Sequence, residues 1–139
     1  MLTKTQARKK AEWVRRQLQK LESRPEIQQY KEWLKLPFSE RQRLEEEWEA
    51  FYRGVKKTPA YRVYRIAKEA LCSGDERALE KLRQCAENAR QRLEARDFLT
   101  PPVFPDPKWF EAGDIFRRYR WLQEQLKKAE EALEDVELF

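Results

Sequence analysis

The apolar residues of this chain recur at steps of three and four. Ala7, Ala11, Val14, Leu18 and Leu21 draw one stripe along a helix, and Leu79, Leu82, Ala86, Ala89 and Leu93 draw another. Ile115, Tyr119, Leu122, Leu126, Ala129, Leu133 and Val136 keep the same rhythm over three heptads. A strand alternates its faces at every residue and cannot use such spacing. Three glycines in 139 residues, and dominance of Ala, Glu, Lys, Leu and Arg, push the same way. Charged residues make up 40% of the chain, which alone would suit disorder, but periodic apolar residues argue for a packed core. The expected fold is an all-α helical bundle of five to six helices with a proline-rich crossover near residues 100–107. Residues 1–139 form a single all-helical domain in this reading.

Helix boundaries follow from caps. The first helix begins at Thr3 or Thr5. Ser23 with Glu26 reads as a capping box, with Pro25 in the first turn and Ile27, Tyr30, Trp33 and Leu34 on the buried side. Pro37 ends that helix. Ser39 with Gln42 repeats the box, and Leu44, Trp48, Phe51 and Val55 turn inward, with Gly54 at the C-terminal cap. Thr58 and Pro59 open the fourth helix, whose apolar side is Val63, Ile66, Ala67, Ala70 and Leu71. Ser73-Gly74-Asp75 breaks the chain, and Asp75 or Ser73 caps the fifth helix. Thr100-Pro101-Pro102-Val103-Phe104-Pro105-Asp106-Pro107 cannot be helical and is expected to lay Val103 and Phe104 on the core. Asp106-Pro107 opens a short turn of helix ended by Gly113, and Asp114 caps the last helix.

Several chemistries lack their residues. There is no histidine, which removes the commonest general base and metal ligand. Cys72 and Cys85 are too few for a zinc site and lack a Cys-x-x-Cys spacing. With no signal peptide at the N-terminus they read as reduced core residues of a cytoplasmic protein. Glu46 and Glu47, or Glu130 and Glu131, are adjacent on a helix and point about 100° apart, so neither pair converges on one substrate. Gly54, Gly74 and Gly113 form no phosphate loop. No enzyme activity, metal or cofactor is expected. No apolar run reaches the roughly 20 residues of a membrane span, so no membrane partner is expected.

Charge is distributed unevenly. From Arg53 to Leu71 six cations (Arg53, Lys56, Lys57, Arg62, Arg65 and Lys68) face Glu69 alone, for a local +5 that equals the net charge of the whole chain. With Val63, Ile66, Ala67 and Ala70 inward, Arg62, Arg65 and Lys68 share the outer side beside Tyr61, and Lys56 and Lys57 stand at the helix mouth, where free N–H groups favour an anion. Arginine forks onto phosphate and tyrosine stacks on a base. The plain alternative is a solvated basic face. Arg117-Arg118-Tyr119-Arg120-Trp121 is a second basic and aromatic stretch; Trp121 falls off the core stripe and reads as a groove cap or partner contact. The first helix carries seven cations, among them Arg15 and Arg16, against Glu12 alone. The turn between the fourth and fifth helices fits a helix-turn-helix, but the supposed recognition helix is too long and would set Glu76, Glu80 and Glu87 against DNA phosphates. The last helix begins basic and ends acidic (Glu130, Glu131, Glu134, Asp135, Glu137), against its own dipole, which can mark a surface used for something else.

In size, helicity and charge the chain resembles the small helical subunit of CRISPR effector complexes, on Lys56, Lys57, Arg62, Arg65, Arg117, Arg118 and Arg120. The resemblance implies a non-enzymatic subunit whose basic helices contact guide or target strands. Its expected partners are the backbone of RNA or single-stranded DNA and other protein subunits, including copies of itself. The rival expectation is a protein-interaction module without nucleic acid, carried by exposed aromatics (Trp13, Trp109, Phe110, Trp121).

Overall fold

The computed structural model describes residues 3–55, 58–73 and 76–137, with side chains to Glu134. Lys56, Lys57, Gly74, Asp75 and the side chains of Asp135, Val136 and Glu137, all named above, lie outside the described residues. Seven helices and no strand occur among the described residues: α1 (Lys4–Glu22), α2 (Pro25–Lys35), α3 (Phe38–Gly54), α4 (Pro59–Leu71), α5 (Leu79–Asp97), α6 (Pro107–Ala112) and α7 (Asp114–Glu137). The protein is an all-α bundle, with the turn opened by Asp106 and Pro107 forming a helix in its own right.

Two helix pairs organise it. α7 packs along α1, and α5 along α4. Tyr119 of α7 donates its hydroxyl to Glu22 at 3.2 Å, while Arg15 meets Glu130 at 3.2 Å, so α1 and α7 run antiparallel. The acidic end of α7 therefore lies beside the cation-rich half of α1. Its charge order opposes its own dipole but suits its neighbour, whose N-terminus is positive. That packing accounts for the irregular order without a separate surface function.

The apolar side chains form two clusters. One joins Val14, Leu18 and Leu21 of α1 to Ile27, Tyr30 and Trp33 of α2 and Ile115, Phe116, Tyr119 and Leu122 of α7, with Leu44, Cys72 and Phe110. The other joins Trp48, Phe51 and Val55 to Tyr64, Ala89 and Leu93. Trp109 of α6 packs against both. Its ring lies edge-on to Trp48 at 5.5 Å. Gly113 permits the turn between α6 and α7: a Cβ there would stand 2.8 Å from both Phe116 Cδ2 and the Trp109 carbonyl oxygen.

Thr3 caps α1 with a full capping box to Gln6, and Asp106 caps α6 through the Lys108 N–H at 3.0 Å. Other boundaries differ from the sequence expectation. Ser23 does not cap α2: its hydroxyl donates to the Lys20 carbonyl at 2.6 Å, which closes α1, and Arg24 occupies the N-cap position. Ser39 lies inside α3, whose N-cap is Pro37, and Val55 rather than Gly54 is its C-cap. Ser73 does not cap α5. Ala78 occupies the N-cap position in a left-handed conformation (φ 57°) without a side-chain cap bond, and Phe98 ends the helix in the same region (φ 54°). Leu99 N–H reaches back to the Leu93 carbonyl at 3.1 Å, so the left-handed residue at 98 closes the helix as glycine more often does.

Side-chain burial corrects several further expectations. Leu34 (45% exposed) leaves the α2 core. Phe116, off the predicted stripe, is fully buried. Phe110 is 2% exposed and stacks among Tyr30, Trp33 and Phe116, so it belongs to the core and not to the exposed aromatics; Trp109 is half-buried. Val103 is 92% exposed, while Phe104 packs against the first cluster and its carbonyl accepts from Trp48 Nε1 at 2.9 Å. The prolines hold this segment out of helix, and the chain bends at Val103 and Phe104, turning Phe104 alone onto the core. Cys72 is buried and Cys85 exposed, both free, so only Cys72 is a core residue. Burial pushes the Cys72 thiol up to about 12. No helix among the described residues is long and apolar enough to cross a membrane.

Candidate nucleic-acid interface

α4 is fixed at its start by Thr58, whose Oγ1 accepts from the Tyr61 N–H at 3.1 Å, and by Pro59 in the first helical position. Its buried side is Tyr64, Ala67 and Leu71. That side is rotated from the predicted one. Ala67 and Leu71 face inward as expected, but Val63 and Ile66 stand 46% and 51% exposed. Tyr64 fills the core position instead, and burial pushes its phenol up to about 12.

The rotation sorts the cations of α4 into two groups. Arg62 and Arg65, one turn apart, are exposed and make no ion pair or hydrogen bond among the described residues. With Thr58, Pro59, Tyr61 and Val63 they line a hollow of about 580 Å³. Tyr61 is half-buried at its edge, its ring against Phe51 at 5.9 Å and Tyr52 at 6.0 Å. Burial raises the Tyr61 phenol above its ordinary value, and Tyr52, which donates to Asp106, is raised further, first by burial and then by that bond. Tyr61 is thus held by the core, with part of its surface left for a ligand. Lys68 does not share the outer side. It turns into the groove between α4 and α5, with its ammonium 5.7 Å from the centre of the Tyr64 ring.

The second basic stretch is largely engaged within the fold. Arg120 Nη1 donates to the Phe110 carbonyl at 2.8 Å and to the Tyr30 hydroxyl at 3.2 Å, with the guanidinium 5.9 Å from the Tyr30 ring centre. Arg118 donates to Gln17 Oε1 at 3.2 Å, and Arg117 to the Glu111 carbonyl at 3.4 Å. These arginines tie α7 to α1, α2 and α6. Trp121 is 52% exposed beside them. On α1, Arg15 is paired with Glu130, whereas Arg16 is exposed with no partner among the described residues. α4 and α5 run antiparallel, with Tyr64 near Arg90 and Lys68 near Glu87 and Arg83, so they form a hairpin and not a crossed helix-turn-helix.

One cluster has no counterpart in the sequence reading. Arg24 and Glu26 are both buried (7% and 8% exposed). Arg24 Nη2 donates to the Leu71 carbonyl at 2.6 Å and to Glu26 at 3.2 Å; Arg83 reaches the same carboxylate at 3.2 and 3.3 Å. Further along α5, Arg90 is clasped by Glu87 and Glu94. Positions 24, 26, 68 and 83 meet only through the packing of α2 against the α4–α5 hairpin, and no sequence spacing announces that meeting.

The chain matches no family model, no curated protein and no solved structure.

Proposed function

We propose that this chain is a non-enzymatic helical accessory subunit that grips the backbone of RNA or single-stranded DNA within a larger ribonucleoprotein, of which a CRISPR effector complex is one example. The observation that carries this reading is the outer side of α4. Arg62 and Arg65 project there with no carboxylate to satisfy them, unlike Arg15, Arg24, Arg83 and Arg90. A guanidinium without an internal partner keeps its full donor set for phosphate. Two such groups one turn apart can follow a strand without reading its sequence. Arg16 on α1 offers a second, separate point of contact.

The test is titration of labelled single-stranded and duplex RNA and DNA at several salt concentrations. Binding should weaken steeply with salt. Arg62→Glu with Arg65→Glu should reduce the log–log salt slope by about 1.4, roughly 0.7 per phosphate contact on a single strand. Absence of binding at low salt would overturn nucleic-acid binding by the isolated protein.

A second reading rests on a different observation. Val63 and Ile66 stand exposed among the same arginines. An apolar centre with a cationic rim suits an acidic protein partner as well as a strand. Val63→Ser with Ile66→Ser separates the two: it should leave the salt slope unchanged if the ligand is a nucleic-acid backbone, and abolish association if the ligand is a protein surface.

A further inference from the structure

On the α5 side of α4, Tyr64, Lys68, Arg83, Glu87 and Arg90 face the segment 100–103 across a groove of about 310 Å³. The size lies at the low end of small-ligand sites, which run from about 300 to 1,000 Å³. The charges in and around it do not balance. Glu87 and Glu94 are taken by Arg90, and Glu26 is shared by Arg24 and Arg83. Lys68 makes no ion pair among the described residues, and Glu26 and Glu87, each already bonded to an arginine, act on it only at longer range.

Hydrogen-bond donors are also in surplus. Arg83, in the groove lining, leaves Nε without an acceptor, and Arg24, behind it on the shared Glu26, leaves Nε and Nη1 without one. A half-buried ammonium beside unfilled guanidinium donors is an unfavourable arrangement when nothing anionic accompanies it. Burial lowers the Lys68 pKa, and the Glu26 and Glu87 carboxylates nearby oppose that shift without cancelling it.

We propose that this groove is a binding site for a phosphate monoester, with the phosphate seated between Lys68 and Arg83 and the body of the ligand along the Tyr64 ring and the 100–103 segment. The site is separate from the outer side of α4 and does not depend on the strand-binding reading. A phosphate monoester can be a free nucleotide or the 5′ end of a strand. Both present the same dianion to Lys68, and the experiment distinguishes them.

The probes are inorganic phosphate, adenosine monophosphate, adenosine, and a short oligonucleotide with and without a 5′-phosphate. Each is titrated into the full chain by calorimetry and by amide NMR. Adenosine monophosphate should bind and shift the resonances of Tyr64, Lys68 and Arg83, whereas adenosine should not. Lys68→Met keeps the aliphatic stem and removes the charge, and should weaken binding by about tenfold or more. Arg62→Glu with Arg65→Glu should leave adenosine monophosphate binding intact while weakening the oligonucleotide, so failure of this site and failure of the strand-binding face are distinguishable. A 5′-phosphorylated oligonucleotide that binds tighter than both its 5′-hydroxyl form and adenosine monophosphate assigns the site to strand ends; equal binding of the two oligonucleotides assigns it to free nucleotides. No binding of phosphate or adenosine monophosphate at millimolar concentration would overturn the proposal. So would shifts away from the groove in the wild-type chain, a measurement that needs no variant to fold.

Discussion

Arg24–Glu26 and Arg15–Glu130 are the same kind of contact at the same 3.2 Å, in two different settings. The first pair has side chains 8% and 11% exposed, where α2 meets the α4–α5 hairpin; the second has 56% and 48%, on the surface between α1 and α7. Distance alone does not separate them. Burial does: water screens the α1–α7 pair, whereas Arg24 and Glu26 lost most of their hydration on folding and depend on each other and on the partly exposed Arg83. Charge on the α1–α7 side therefore helps orient two helices and keeps the surface hydrated. Charge in the α4–α5 region is a constraint on the fold, and its surplus is where ligands are to be sought.

The largest effect should follow from Glu26→Ala. It leaves two guanidinium groups without their carboxylate, one of them buried, and should cost about 3–5 kcal/mol in urea denaturation. A loss below about 1 kcal/mol would erase the contrast between the two regions. Thr58→Ala removes the side-chain cap of α4 and should cost about 1 kcal/mol by the same measurement, because the hydroxyl satisfies one otherwise unpaired N–H. The smallest effect belongs to Arg15→Ala, below about 0.5 kcal/mol and vanishing in high salt. A salt-independent loss there would mean that the α1–α7 pair is held as tightly as the buried cluster.

The long helices were legible because their stripes are redundant. Five apolar positions in α1 point to one side, and any other rotation would expose most of them. α4 had no such redundancy. Residues 63, 66, 67, 70 and 71 and residues 64, 67 and 71 both draw helical stripes, sharing Ala67 and Leu71. Hydropathy favours the first set, but the structure uses the second because Tyr64 brings a large ring to the cluster with Trp48 and Phe51. A tyrosine is ambiguous from sequence, since its ring prefers burial and its hydroxyl prefers water. The sequence stripe therefore exposes Arg62 and Arg65, as the structure does, but sets Lys68 beside them, whereas Lys68 lines the groove toward α5. Caps at Thr3, Thr58 and Asp106 were legible because each directly precedes a helix with no competing signal. Ser23 was misread because the same hydroxyl can close the preceding helix, and only the geometry decides between those bonds. The Arg24–Glu26–Arg83 meeting could not be read at all, since it joins segments 57 positions apart with no periodic relation.

Gly113 carries a consequence for how this sequence can change over time. Any side chain added there meets Phe116 and the Trp109 carbonyl at 2.8 Å, and both belong to packed elements with no room to yield. At Gly54 the nearest atom is the flexible tip of Leu99 at 3.3 Å, and neither glycine requires a left-handed backbone. Two glycines with ordinary dihedral angles thus have opposite mutational freedom. In a randomised library selected for folded chains, position 54 should drift while position 113 stays fixed, marking the α6–α7 elbow as the place where a single methyl group decides whether the chain closes.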